Sequence, residues 1–185
     1  MASAFASQRP QTANDAVDAG VLVLLYQKAG RWYFPLIQRP SRNPKDPHNG
    51  QVAFPGGRYE ATDPSFAATA LREAEEEVGV SAKEVQVLGK LTPLYIPVSG
   101  YLVHPLVGYL PYVPTFQLQE AEVERVLEVP LEDLLDPSKL KQKDMPLSNR
   151  GSLKGVHYFD LEAKVVWGAT AMMLNELRTI LQQMD

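Results

Sequence analysis

The sequence predicts an α/β sandwich, in which a sheet of branched apolar strands packs against two long helices. Three observations carry this. Short runs rich in Val, Leu, Ile and Tyr recur between turn residues. The segment 63–79 carries helix-start and helix-stop residues. In 170–184 the apolar residues Met173, Leu174, Leu177, Ile180, Leu181 and Met184 fall on one helical face. Strands interleaved with helices in this way suit neither a bundle nor a barrel.

Residues 1–18 are polar and rich in Ala and Ser and are expected to form an arm, with 19–185 as one domain that no linker or repeat divides. Residues 20–27 (GVLVLLYQ) predict a strand that breaks at Ala29-Gly30 and resumes as 31–39 (RWYFPLIQR). Asn43, Pro44, Asp46 and Pro47 make 41–49 a loop. Residues 51–54 predict a short strand that stops at Pro55-Gly56-Gly57. Asp63 is placed to cap a helix, Pro64 suits its first position and Gly79 its end. Strands are expected over 85–97 and 101–110, joined at Ser99-Gly100, and over 123–129. A short helix over 131–135 and a hairpin of 156–161 with 164–166 follow before the last helix.

Composition removes several function classes. Eighteen basic against 22 acidic residues give a net charge of −4, with no run of Lys or Arg to bind nucleic acid or an acidic membrane. With no cysteine there are no disulfides, thiolate nucleophiles or cysteine zinc sites. Residues 1–18 have neither the basic nor the apolar segment of a secretory signal, and the longest apolar run, 21–26, is far too short to span a bilayer. The chain therefore reads as soluble and cytoplasmic. P-loop, nucleophilic serine and dinucleotide motifs are all missing.

One stretch concentrates charge. Glu73, Glu75, Glu76 and Glu77 occupy four of five positions, and Glu73, Glu76 and Glu77 share a helical face beside the apolar stripe Ala67, Leu71, Ala74 and Val78. Like charges so placed cost a few tenths of a kcal/mol per pair, and Arg72 is the one base within that helix. Two readings fit: a solvated acidic face, or a site for a hard divalent cation such as Mg²⁺, which takes carboxylate oxygens and leaves positions for water and phosphate.

The stretch GGRYEATDPSFAATALREAEEEVGV resembles the Nudix box. Its second half matches at Arg72, Glu73, Ala74, Glu76, Glu77, Gly79 and Val80. Its first half is one residue longer than the pattern and carries Asp63 where Glu is usual. That departure resembles the coenzyme A pyrophosphatase branch, as does the upstream PLIQRPSRNPKDPHNGQVAFPGG, whose loop from Arg39 to His48 is about two residues longer than the branch signature.

The resemblance implies a Nudix-type α/β/α sandwich with a mixed central sheet. It also implies metal-dependent hydrolysis of a pyrophosphate bond in a nucleoside diphosphate derivative, coenzyme A or its thioester first, with Mg²⁺ or Mn²⁺ as cofactor. Glu73, Glu76, Glu77 and the Gly56 carbonyl would hold metal. Arg72 would pair with Asp63, with Glu60 as the alternative, and Glu122 rather than Glu120 or Glu124 would be the general base. Arg39, with Arg42 and Lys45 beside it, would meet a substrate phosphate at the adenosine end, and Phe54 and Gly57 would also contact substrate. His48, His104 and His157 share no metal-ligand spacing and are read as structural or incidental. The expected partner is a small-molecule nucleotide, with no nucleic acid and no membrane; a homodimer is left open. The competing readings are another nucleoside di- or triphosphate derivative (ADP-ribose, NADH, a dinucleoside polyphosphate, a dNTP) and a non-catalytic binding module of the same fold.

Overall fold

The structure, a computed structural model, describes residues 16–41, 49–147 and 151–184. Arg42, Lys45 and His48 lie outside the described residues, as does most of the expected arm.

β1 (Val17–Lys28) and β2 (Arg31–Gln38) form the first hairpin, and the strand begins three residues ahead of the apolar run that announced it. The two pair only near their turn, from Tyr26↔Tyr33 to Lys28↔Arg31. Beyond it they part, and short strands take the freed edges: β3 (Val52–Ala53) pairs with Ile37 and Gln38, and β4 (Gly56–Arg58) with Ala19, Gly20 and Val21. β5 (Gln86–Lys90) and β6 (Leu94–Ile96) lie antiparallel to β7 (Tyr101–Leu110), which runs parallel to β1 from Val17↔Tyr101 to Tyr26↔Leu110. β8 (Arg125–Pro130) pairs antiparallel with β2. One parallel pairing among antiparallel ones makes the sheet mixed, as expected.

Alternation along β1 sorts its side chains onto two faces. Leu22, Leu24 and Tyr26 join Ala70, Ala74 and Val78 of α1 (Phe66–Val78), whereas Ala19, Val23 and Leu25 join Leu134 of α2 (Leu131–Leu135) and Met173, Leu174 and Leu177 of α3 (Gly168–Gln182). The result is the α/β/α sandwich. A second sheet of β9 (Leu140–Leu147), β10 (Gly151–Leu161) and β11 (Lys164–Val166) adds Phe159, Leu161 and Val166 to the core on the α3 side. α1 lies directly on β1 because Gly20 has no side chain: an added Cβ would stand 2.5 Å from the Phe66 carbonyl oxygen.

Four local expectations are corrected. The strand expected over 85–97 is two strands, interrupted where Pro93 has no N–H for a ladder and the Thr92 N–H donates to Glu176 at 2.9 Å. The chain does not stop pairing at Pro55: Gly56 and Gly57 go straight into β4. β9 was not expected, because its exposed residues Lys141, Lys143 and Asp144 hide any apolar alternation. Asp63 does not cap α1. Ser65 does, accepting from the Ala68 N–H at 3.2 Å, so Pro64 lies outside the helix, while Gly79 ends it as expected with φ 72°.

Candidate active site

Asp63 is withdrawn from capping because its carboxylate, 6% exposed, is held elsewhere. Arg72 reaches back to it at two points, Nε to Oδ1 at 2.9 Å and Nη2 to Oδ2 at 3.0 Å. The Thr69 hydroxyl donates to Oδ2 at 2.9 Å and the Glu60 N–H at 3.0 Å, so Glu60 contributes its backbone to this network. Arg72 Nη2 also donates to the Arg58 carbonyl at 3.1 Å. Hydrogen bonding from Arg72 is the main reason the Asp63 carboxyl sits well below the usual carboxylate range, and the same bonds raise Arg72.

The remaining guanidinium nitrogen, Nη1, lies 3.0 Å from Glu73 Oε1 and 3.1 Å from Glu76 Oε2. Glu73 packs its carboxylate on Gly57, where an added Cβ would come within 2.5 Å of it. Glu77 is 2% exposed and accepts from the Gly56 N–H at 2.8 Å. Gly56 holds φ 153°, a value open to glycine, while its amide points at the helix. Burial pushes Glu77 up to about 8; the charges of Glu73 and Glu122 add to the rise, and the Gly56 N–H and Arg39 oppose it. Burial also raises Glu73, with Arg72 opposing and Glu76 and Glu122 reinforcing.

Glu122 arrives from a distant loop. The Gln117 N–H donates to the Val78 carbonyl at 3.0 Å and the Gln119 N–H to that of Glu77 at 2.9 Å, which fixes the loop on the C-terminus of α1. On its other side the Glu124 N–H donates to the Gln38 carbonyl at 2.9 Å. Between these anchors Glu122 is exposed, and its charge acts on both Glu73 and Glu77. Arg39 follows β2, half-buried, with its N–H on the Gln51 carbonyl at 2.9 Å. Its charge acts on Glu77 and favours the ionised carboxylate.

Phe54 is a correction. It is 2% exposed and packs in the core on Phe34, ring centroids 6.3 Å apart, so it leaves no face for a substrate. His104 is structural, as expected: Nε2 lies 2.7 Å from Asp18 Oδ1 and its ring stacks on Phe66 at 3.8 Å. Thr69 is the residue that sequence reasoning missed. Its one signal was position, three residues before Arg72 and therefore on the same helical face.

The donors here are carboxylate oxygens: Glu73 is half-buried and Glu77 buried, with burial opposing the ionisation of both, while Glu76 is exposed, and oxygen donors of this kind suit a hard divalent cation. Among the described residues no three His, Asp or Glu side chains converge as they stand. Gly56 engages Glu77, and Arg72 engages Glu73 and Glu76. The donor chemistry fits the ion, and the carboxylates have protein partners in the positions described.

The NUDIX domain family matches residues 17–150. A Nudix hydrolase NudL of Photorhabdus laumondii subsp. laumondii is 45% identical over 130 residues, covering 70% of this chain and 68% of that protein. A NudL of Yersinia pestis is 42% identical over 130 residues, covering 70% of this chain and 64% of its own length. The match thus spans about two thirds of these relatives. Among solved structures, the NUDIX domain of Shewanella oneidensis NrtR complexed with ADP ribose aligns with a TM-score of 0.57 over 97% of each chain at 21% identity, a likeness of fold.

Proposed function

The chain belongs to the Nudix hydrolase family, and from that premise we propose that it cleaves the pyrophosphate bond of coenzyme A or a coenzyme A thioester with Mg²⁺ or Mn²⁺. The observation that carries the metal reading is the pair of acids on α1 beside Gly56-Gly57, Glu73 half-buried and Glu77 buried, with burial opposing their charge. A solvated acidic face would leave them exposed. Glu73, Glu76, Glu77 and the Gly56 carbonyl would hold the ion. When bound, it neutralises phosphate oxygens and lowers the pKa of water.

The chain's own groups divide the remaining work. Arg72, locked on Asp63, fixes the direction of Glu73 and Glu76. Glu122, exposed and tethered at both ends of its loop, takes the proton of the attacking water. Arg39 holds the anionic pyrophosphate with a charge-assisted contact. The proposed partner is a small nucleotide and the proposed residence cytoplasmic; among the described residues no helix is long and apolar enough to cross a membrane.

The coenzyme A assignment rests on the residues around the box: the extra residue, Asp63, and the GQVAFPGG segment. ADP-ribose is the second reading, favoured by the likeness to the NrtR domain complexed with it. Product analysis with Mg²⁺ or Mn²⁺ separates them. Coenzyme A should yield 3′,5′-ADP and a phosphopantetheine half faster than ADP-ribose, NADH, diadenosine polyphosphates or dGTP are cleaved. Preference for ADP-ribose would overturn the substrate and leave the metal chemistry standing.

A further inference from the structure

We propose that Thr69 is a positioning residue for this reaction, its hydroxyl setting the Asp63 carboxylate so that Arg72 presents its last nitrogen squarely to Glu73 and Glu76. The inference rests on the metal reading above. Thr69 is fully buried, and its hydroxyl has one proton with two acceptors in reach, Asp63 Oδ2 at 2.9 Å and the Ser65 carbonyl at 3.3 Å. The nearer acceptor is charged and takes the bond.

Asp63 Oδ2 then receives three donors, from Thr69, Glu60 and Arg72, and Oδ1 receives Arg72 Nε. The carboxylate cannot turn without breaking several of them. This matters more for an aspartate, a methylene shorter than the glutamate usual at this place, because it must be held at one distance to meet both guanidinium nitrogens. A guanidinium is planar, so fixing Nε and Nη2 also fixes where Nη1 points. Nη1 is the nitrogen on Glu73 and Glu76. A slip at Asp63 is therefore passed to two of the proposed ligands. Packing alone does not call for a hydroxyl here: Ala67, Ala68 and Ala70 surround it in sequence, and valine would fill the same volume without a polar group to satisfy.

The test is Mn²⁺ binding by calorimetry on the full chain without nucleotide, with Mg²⁺-dependent turnover and thermal melting measured alongside. Thr69→Val should weaken Mn²⁺ binding about tenfold and raise the Mg²⁺ needed for half-maximal turnover in parallel, whereas Thr69→Ser should return both to within about threefold of the native protein. A lower melting temperature for Thr69→Val with native Mn²⁺ affinity would overturn the inference and make Thr69 a packing residue. If Thr69→Val does not fold, Thr69→Ala carries the same two expectations. A native protein that neither binds Mn²⁺ nor needs a metal would overturn the metal reading itself, an outcome distinct from failure of the valine variant alone.

Discussion

Asp63 and Glu77 are almost equally buried, yet their ionisation is driven in opposite directions. Asp63 has a two-point arginine, a hydroxyl and a backbone N–H; Glu77 has one backbone N–H, the charge of Arg39 and two acidic neighbours. Burial is the first cause of the Glu77 rise, whereas at Asp63 the hydrogen bonds from Arg72 outweigh it. The first environment is complete within the protein, and in the second the Gly56 N–H and the Arg39 charge only partly offset burial and the two acids. That difference separates a structural acid from one that, under the proposed function, a cation would complete.

The largest expected effect breaks the complete environment. Arg72→Met leaves Asp63 buried without its partner and should cost about 3–5 kcal/mol in urea unfolding, whereas adding Asp63→Asn to that variant should restore part of the loss. If the double variant is no more stable than the single one, the charge of Asp63 is not the problem. Next comes the incomplete environment. Glu77→Gln should slow turnover by about a hundredfold or more while the metal-free protein melts at a higher temperature at pH 8, because a charge opposed by burial is gone. Native turnover in that variant would remove Glu77 from the metal site. Arg39→Ala should slow coenzyme A and dephospho-coenzyme A alike, by about tenfold, as proposed for a contact on the pyrophosphate that both share. A loss confined to coenzyme A would move Arg39 back to the adenosine end. The smallest effect is the control: Glu132→Gln, at an exposed pair with Arg31, should leave the urea midpoint where it was.

The strands of the main sheet were legible where branched residues run together, and β7 and α2 have the expected bounds. The face shared by Glu73, Glu76 and Glu77 was legible because helix geometry is local. What escaped depends on partners distant in the chain or on glycine. Asp63 has every feature of a cap; the resemblance paired it with Arg72, as the structure shows, and only the fold adds Thr69. Gly56-Gly57 reads as a turn, and becomes a strand because β1 has parted from β2 and left an edge to pair. Phe54 sits in a segment that looks like substrate contact and is taken by Phe34. Glu122 was chosen from three acids by resemblance; the anchoring of its loop on Val78, Glu77 and Gln38 is what brings it into electrostatic range of the site.

The central claim is that Glu77 belongs to a site completed by a cation, and the pH dependence of stability tests it most directly. Asp63 is lowered on folding, so its contribution is present above its ordinary pKa of 3.8 and is lost only as the solution becomes strongly acidic. Glu77 is raised from 4.5 to about 8, so the folded state holds a proton that the unfolded chain releases, and stability falls as pH rises from about 4.5 through about 8. Melting curves recorded from pH 5 to pH 9 without metal should therefore slope downward, and millimolar Mg²⁺ or Mn²⁺ should flatten the slope and raise the melting temperature most at the alkaline end. Parallel curves with and without metal would contradict the account and return the acidic helix to a charged face that binds nothing.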